Sequence, residues 1–133
     1  MIVLDCSAAI EFARVKDPES PITQAILDAD MILAPTLLKY ELASVWRKYV
    51  KAGVCSVAQA ADEMLDTIDL IDFFEPADGY MVEALFEAAR LDHSPYDMFY
   101  LLMAKRNAAM LVTCDKALGR LCRAEGVVSL GWE

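Results

Sequence analysis

Short apolar runs recur along the chain, separated by longer segments whose apolar residues repeat with a helical period. Five runs read as strands: Ile2–Asp5, Met31–Ala34, Asp72–Glu75, Met110–Thr113 and Val127–Leu130. Most are rich in Ile, Val, Leu or Phe and lack polar alternation, as strands buried on both faces of a parallel sheet do. The segments between them predict helices. Ser7–Val15 follows the first strand, and Ser20 with Pro21 opens a second helix, Pro being favoured at the first helical position. Thr36 is placed to cap a long helix through Ala52, which Gly53 stops. Ser56 with Gln59 forms a capping-box pattern for a helix to about Leu70. Another runs from Ala77 to Leu91, and Ser94–Pro95 starts the next, through Asn107. Asp115 begins the last, which ends before Gly126. Strands alternating with helices predict a three-layer α/β/α domain around a central parallel sheet of about five strands. The helices 36–52 and 56–70 are joined by a few residues and should form an antiparallel hairpin.

Length and composition narrow this picture. The 133 residues fit one domain, 1–133, and the 57% hydrophobic content is enough for an ordinary core. No repeat, low-complexity tract or linker interrupts it. The opening MIVLDCSAAI has no basic leader and its apolar run is cut by Asp5, so no signal peptide is expected. No apolar stretch approaches the ~20 residues of a membrane span. The four cysteines, Cys6, Cys55, Cys114 and Cys122, form no C-x-x-C pair, and the one histidine is His93. Zinc, which needs clustered Cys and His, is therefore not expected. A cytoplasmic protein with reduced thiols is the simplest reading. The net charge of −9, from 12 basic and 21 acidic residues, argues against nucleic acid when taken alone. Net charge averages over the whole surface, however, and a metal site is itself acidic until the metal arrives.

Where the acids fall changes the reading most. Asp5 ends the first strand, in V-L-D-C-S, and Asp115 follows the fourth, in L-V-T-C-D. Ligands of open α/β sheets bind beyond the carboxyl ends of the strands. Glu41 lies in the second turn of its helix and Asp97 in the first turn of its own, and helices that follow strands begin at that same edge. Each acid alone has an ordinary structural use. Asp5 and Asp115 can cap helices, Ser94 with Asp97 matches a capping box, and Glu41 can complement a helix dipole. Together they are harder to dismiss, because acids with apolar neighbours cost free energy unless paired, protonated or bound to metal. Clustered carboxylates resist joint ionisation, and a hard cation such as Mg²⁺ or Mn²⁺ relieves that. Such an ion can orient a phosphodiester and lower the pKa of an attacking water, so no His or Cys nucleophile is required.

These stretches resemble the PIN-domain family, and most closely VapC-type toxin ribonucleases of toxin–antitoxin pairs. I-V-L-D-C-S is similar to the family's strand ending in D-x-S. Y-E-L-A-S-V-W is similar to its helix with the second acid, here Glu41. S-P-Y-D-M-F-Y-L-L-M-A is similar to the helix with the third, Asp97, and L-V-T-C-D-K-A-L to the T-x-D element with the fourth, Asp115. The resemblance covers nearly the whole chain in order and spacing. It implies a PIN-like domain that cleaves RNA with Mg²⁺ or Mn²⁺. By matching position, Asp5 and Asp97 would be the main metal ligands, and Glu41 and Asp115 would complete the site and orient water. Ser7 and Thr113 would be supporting hydroxyls, a role that competes with helix capping and strand-end hydrogen bonding. A cognate antitoxin and a homodimer are the expected protein partners.

Other features are less specific. Lys116, Arg120 and Arg123 share a face of the last helix, and Lys39, Arg47, Lys48 and Lys51 decorate the long one; each set reads either as phosphate contacts or as a solvated face. Trp46, Tyr49, Phe99 and Tyr100 read as core or interface packing, and His93 as a helix-flanking surface residue. Leu37, Leu38, Leu42, Val45, Trp46, Val57, Ala61, Met64 and Leu65 on the hairpin offer either a groove for an amphipathic partner or packing on the sheet. Two other functions compete. A haloacid-dehalogenase-like phosphatase would want a second Asp where Ser7 stands, and a non-catalytic PIN-like binding module would keep the acids without the chemistry.

Overall fold

The computed structural model describes all residues, Met1–Glu133. The strands are β1 (Ile2–Leu4), β2 (Ile32–Pro35), β3 (Phe73–Glu75), β4 (Met110–Val112) and β5 (Ser129–Leu130). The helices are α1 (Cys6–Val15), α2 (Pro21–Asp28), α3 (Leu37–Lys51), α4 (Val57–Leu70), α5 (Met81–Leu91), α6 (Pro95–Asn107) and α7 (Lys116–Ala124). The five strands form one sheet in the order β3-β2-β1-β4-β5, all neighbours parallel. β1 is therefore central, and the chain reverses its direction of winding beside it, between β1 and β4. That reversal opens the crevice where ligands of such sheets bind.

Strand side chains alternate between two cores, one on each face of the sheet. Ile2, Leu4, Ile32, Ala34 and Val112 pack under helices α1 to α4. Val3, Leu33 and Leu111 pack under α5, α6 and α7. This is the three-layer arrangement that the alternating pattern predicts. The inner strands β1 and β2 are buried throughout, whereas Phe73 on the edge strand β3 is exposed and β5 is half-buried. The apolar runs thus mark position in the sheet as well as strand identity.

Local signals set most helix starts. Ser20 accepts from the Ile22 amide with Pro21 in the first turn, and Ser56 and Gln59 close a reciprocal capping box. Thr36 departs from expectation. It has helical dihedrals and no capping hydrogen bond, and its own amide donates to the Glu75 carbonyl at 3.0 Å. A cap residue needs an extended conformation, and the tie to β3 holds Thr36 out of it. The predicted helix 77–91 also divides into a 3₁₀ turn over Ala77–Tyr80 followed by α5. In the α3–α4 hairpin, Leu38, Leu42, Trp46 and Ala60 are buried in the core, and Val57 and Leu65 remain exposed. Packing on the sheet accounts for the larger part of that apolar set.

The C-terminal segment locks the β4 edge. The Thr113 amide donates to Leu130 at 2.9 Å, and Gly131 passes so close that a Cβ there would lie 2.7 Å from the Thr113 carbonyl. Its φ of 104° is also one that favours glycine. Trp132 then lies across α7 at Gly119, where an added Cβ would meet the indole at 2.1 Å. Gly119→Ala should therefore cost about 1–3 kcal/mol through overpacking, read by urea denaturation. In a Trp132→Ala background the same change should be neutral, or stabilising by up to ~1 kcal/mol through helix propensity. An equal loss in both backgrounds would exclude the Trp132 contact as the cause.

Candidate active site

Asp5 leaves β1 in an extended conformation and caps α1. Its Oδ1 accepts from the Ala8 amide at 2.9 Å and from Ser7 Oγ at 2.7 Å, and its Oδ2 accepts from Thr113 Oγ1. Each hydroxyl has one proton, and both are given to Asp5. Ser7 Oγ and Thr113 Oγ1, 3.3 Å apart, then serve as acceptors, from the Cys114 amide at 2.9 Å and the Asp115 amide at 3.0 Å. The D-x-S of β1 and the T-x-D of β4 are thus one hydrogen-bonded unit across neighbouring strands. Thr113 is fully buried and reaches the site through Asp5, whereas Ser7 also lines the cavity beside it.

Asp115 accepts from the Ala117 and Leu118 amides at 2.9 and 3.1 Å and so caps α7, the structural use foreseen for it. Asp97 does not complete a capping box. Ser94 accepts from the Tyr96 amide, while Asp97 Oδ2 meets His93 Nε2 at 2.7 Å. Against a carboxylate the ring nitrogen is the donor. His93 is therefore not a surface bystander; its side chain is 17% exposed and steers Asp97 away from the cap. Glu41 on α3 accepts from the Tyr100 hydroxyl at 2.5 Å. Tyr100, read from sequence as packing, is buried on α6 one turn beyond Asp97 and also orients an acid. The i, i+4 spacing of His93 and Asp97 is visible in the sequence. The Tyr100–Glu41 contact joins helices 59 residues apart and is not.

All four acids line one open cavity of about 560 Å³ at the carboxyl edge of the sheet. Burial pushes Asp5 from its ordinary 3.8 up to about 6, with Asp97 adding repulsion and the three hydrogen bonds opposing. Burial likewise raises Glu41, with Asp97 adding to it and Tyr100 opposing. Asp97 is raised by burial, eased by the His93 hydrogen bond and raised further by Asp115. Tyr100 is held well above its usual range by burial and by Glu41, so it stays a donor. Burial and nearby acids push Cys6, in the same cavity, up to about 12. A thiol so held is neither a nucleophile nor a ligand at neutral pH. All four cysteines are free.

Can these residues hold a metal? No group of three or more His, Cys, Asp or Glu side chains is arranged to cage an ion with protein ligands alone. The donor set is nevertheless all carboxylate oxygen. Mg²⁺ commonly takes one or two carboxylates and keeps several waters, so a closed cage is not its requirement. Asp5 uses three of about four lone-pair directions, and Glu41 and Asp97 each use one. Acceptor capacity therefore remains, facing the cavity, on acids whose charge is costly without a cation. The residues fit a hydrated hard cation.

A family model described as the PIN domain matches residues 2–124. Among solved structures, the crystal structure of PAE2754 from Pyrobaculum aerophilum is similar, with a TM-score of 0.74 and 22% identity. That similarity covers 96% of this chain and 82% of the other. None of the curated proteins matches the chain significantly.

Asp5 makes a stability prediction. Its folded value near 6 lies above the ordinary 3.8. Between those pH values the native state holds more proton than the unfolded chain, so stability falls as pH rises through this window and levels off above it. The loss attributable to Asp5 at neutral pH is on the order of 3 kcal/mol. Asp5→Asn carries no such charge. In EDTA it should melt above wild type at pH 7, and the gap should close near pH 4. Calorimetry across that range checks it; a pH-independent difference would contradict a charge origin.

Proposed function

The chain belongs to the PIN-domain family, and on that premise we propose that it is a Mg²⁺- or Mn²⁺-dependent endoribonuclease, the toxin of a toxin–antitoxin pair. Domains of this family are typically metal-dependent nucleases. The observation that carries the reading is the convergence of Asp5, Glu41, Asp97 and Asp115, from four separate segments, on one cavity. Asp5 and Asp97 are assigned as the main metal ligands. Glu41, held by Tyr100, and Asp115, held by the α7 amides, complete the site and position water. Ser7 and Thr113 hold the Asp5 carboxylate, and His93 holds that of Asp97. A bound divalent ion supplies charge for the phosphodiester and a more acidic water. No phosphatase-type second acid follows Asp5; Ser7 occupies that position and donates to Asp5 instead.

Partners follow from two surfaces. The exposed residues of α5 from Met81 to Ala89 are all apolar, and Met81, Val82, Leu85 and Phe86 are 60–70% exposed. The flanking Glu83 and Glu87 are paired within the chain, to Arg106 and Arg90. A contiguous neutral apolar face on so acidic a protein suits a second copy of itself, since doubling the charge elsewhere brings no repulsion there. The proposed antitoxin would seat an amphipathic segment on the α3–α4 hairpin, where a notch of about 250 Å³ is lined by residues including Trp46, Val57 and Met64. It would place an Arg or Lys among the carboxylates in place of metal charge.

Asp5→Asn and Asp97→Asn should each lower metal-dependent RNA cleavage by at least ~100-fold with the fold retained. A non-catalytic binding module would instead show no metal-dependent cleavage in the wild type. Cleavage at the wild-type rate by either purified variant would mean the site is misassigned. The protein product of a neighbouring gene should inhibit the wild type, and Arg→Ala changes in it should weaken that inhibition in Mg²⁺. Inhibition indifferent to every such change would leave only groove packing. For the dimer, Leu85→Glu with Phe86→Glu should convert the protein to a monomer by light scattering. A wild-type monomer, or an unaffected dimer, would exclude the α5 face.

A further inference from the structure

The catalytic cavity is not uniformly acidic. It is a trough between α1 and α3 whose far end carries two cations, Arg14 and Lys48. Ser7 to Arg14 on α1 and Glu41 to Lys48 on α3 each span seven positions, two helical turns on one face. Both helices start at the carboxyl edge of the sheet, so the two cations lie roughly 10 Å further along their helices than the residues beside the acids. Ile10, Ser44 and Val45 line the stretch between.

These cations are also free. The ion pairs of the protein engage Lys16, Arg90, His93, Lys105, Arg106 and the N-terminus, and neither Arg14 nor Lys48. Glu11, one turn before Arg14 on the same wall, forms no ion pair with it. Arg14 is held by an aromatic instead. Its guanidinium lies 4.2 Å from the Tyr49 ring centroid and donates to the Tyr49 hydroxyl at 3.2 Å. Tyr49 in turn packs against buried Trp46, with ring centroids 5.5 Å apart. A cation in the last turn complements the helix dipole. Lys51 does that for α3 without facing the cavity, so the dipole does not explain why both cations turn into the same trough.

Resting on the ribonuclease reading above, we propose that Arg14 and Lys48 form a phosphate clamp that holds the single-stranded RNA flanking the cleavage point along the α1–α3 trough. The four acids take the scissile phosphate through metal, and the clamp takes a phosphate further along the same strand. Tyr49 keeps the Arg14 fork extended toward the strand, which lowers the ordering cost of binding. Arg14 and Lys48 are positioning residues; the reaction itself stays at the acids.

The test uses a fluorescein-labelled, mixed-sequence 12-nucleotide RNA, followed by anisotropy in Ca²⁺ over a range of salt. Arg14→Gln with Lys48→Gln should weaken binding at least tenfold at low salt. It should also flatten the plot of log Kd against log salt by about 1.4, or ~0.7 per lost phosphate contact on a single strand. The melting temperature should be unchanged, and Lys48→Arg should keep the wild-type slope. In Mg²⁺, KM for the same RNA should rise with kcat little changed. Unchanged affinity and slope in the double variant would overturn the clamp, and if Asp5→Asn is inactive the ribonuclease reading survives that result. Binding that needs Arg14 and Lys48, alongside an Asp5→Asn variant that cuts normally, would uphold the clamp and overturn the catalytic assignment. Wild-type protein that does not bind the RNA would overturn both.

Discussion

The Asp5 carboxylate is the constraint on which the rest of the site depends. It is a buried anion with three donors, each from a different purpose: the Ala8 amide at the start of α1, the Ser7 hydroxyl one turn in, and the Thr113 hydroxyl at the end of the neighbouring strand. A buried charge is tolerated only when its lone pairs are met, so α1, β1 and β4 are fixed relative to one another at this point. The remaining lone pairs of Ser7 and Thr113 take the Cys114 and Asp115 amides. The placement of Asp115, and with it the start of α7, is inherited from the same knot. Even so, burial outweighs these bonds, since Asp5 is still pushed up to about 6. The structure holds the acid firmly in place without making its charge comfortable, and a group in that condition favours a cation.

Much of this could be read from the sequence, and the physical reason differs by feature. The apolar runs located the strands because β1 and β2 are buried on both faces, and the caps at Ser20 and Ser56 are local patterns. Asp5 and Asp115 were legible because a strand end plus a parallel sheet fixes where a side chain emerges. Features decided by distant contacts were not legible. Thr36 looks like a cap until Glu75 takes its amide. Tyr100 looks like core until Glu41 arrives from another helix. His93 lay within reach of local reasoning at i, i+4 from Asp97, but that pairing competes with the Ser94 capping-box pattern, and only the folded geometry shows that the imidazole takes the carboxylate.

The net charge of −9 looked like an objection to nucleic acid. Its distribution removes much of that force. Several basic residues are consumed by ion pairs remote from the cavity, as in Lys16–Glu63, Arg90–Glu125 and Arg106–Glu83. Arg123 and Lys39 rest on the rings of Trp132 and Phe74. What faces the trough is therefore set by a few unpaired groups: acids at one end and two cations at the other. Screening confines exposed charges to about 8–10 Å at moderate salt. A phosphate in the trough thus responds chiefly to its immediate walls and much less to the acidic surface beyond them.

That short range also links stability to activity on the proposed reading. Asp5, Glu41 and Asp97 are all raised by burial, and each feels another acid of the cluster. The empty site is therefore a store of unfavourable free energy that any correctly placed cation releases. A ligand that binds only the folded form stabilises it by RT ln(1 + [L]/Kd), which is about 2.7 kcal/mol at 100 times Kd. A hydrated divalent ion and a partner's guanidinium would draw on the same repulsion and exclude one another by occupying the same oxygens. The hydroxyls and amides around Asp5 cannot substitute for either, because their hydrogen bonds are already formed and burial still dominates. The acids are thus arranged for an external positive charge, and the rigid knot of Ser7, Thr113 and β4 keeps them from collapsing onto an internal one.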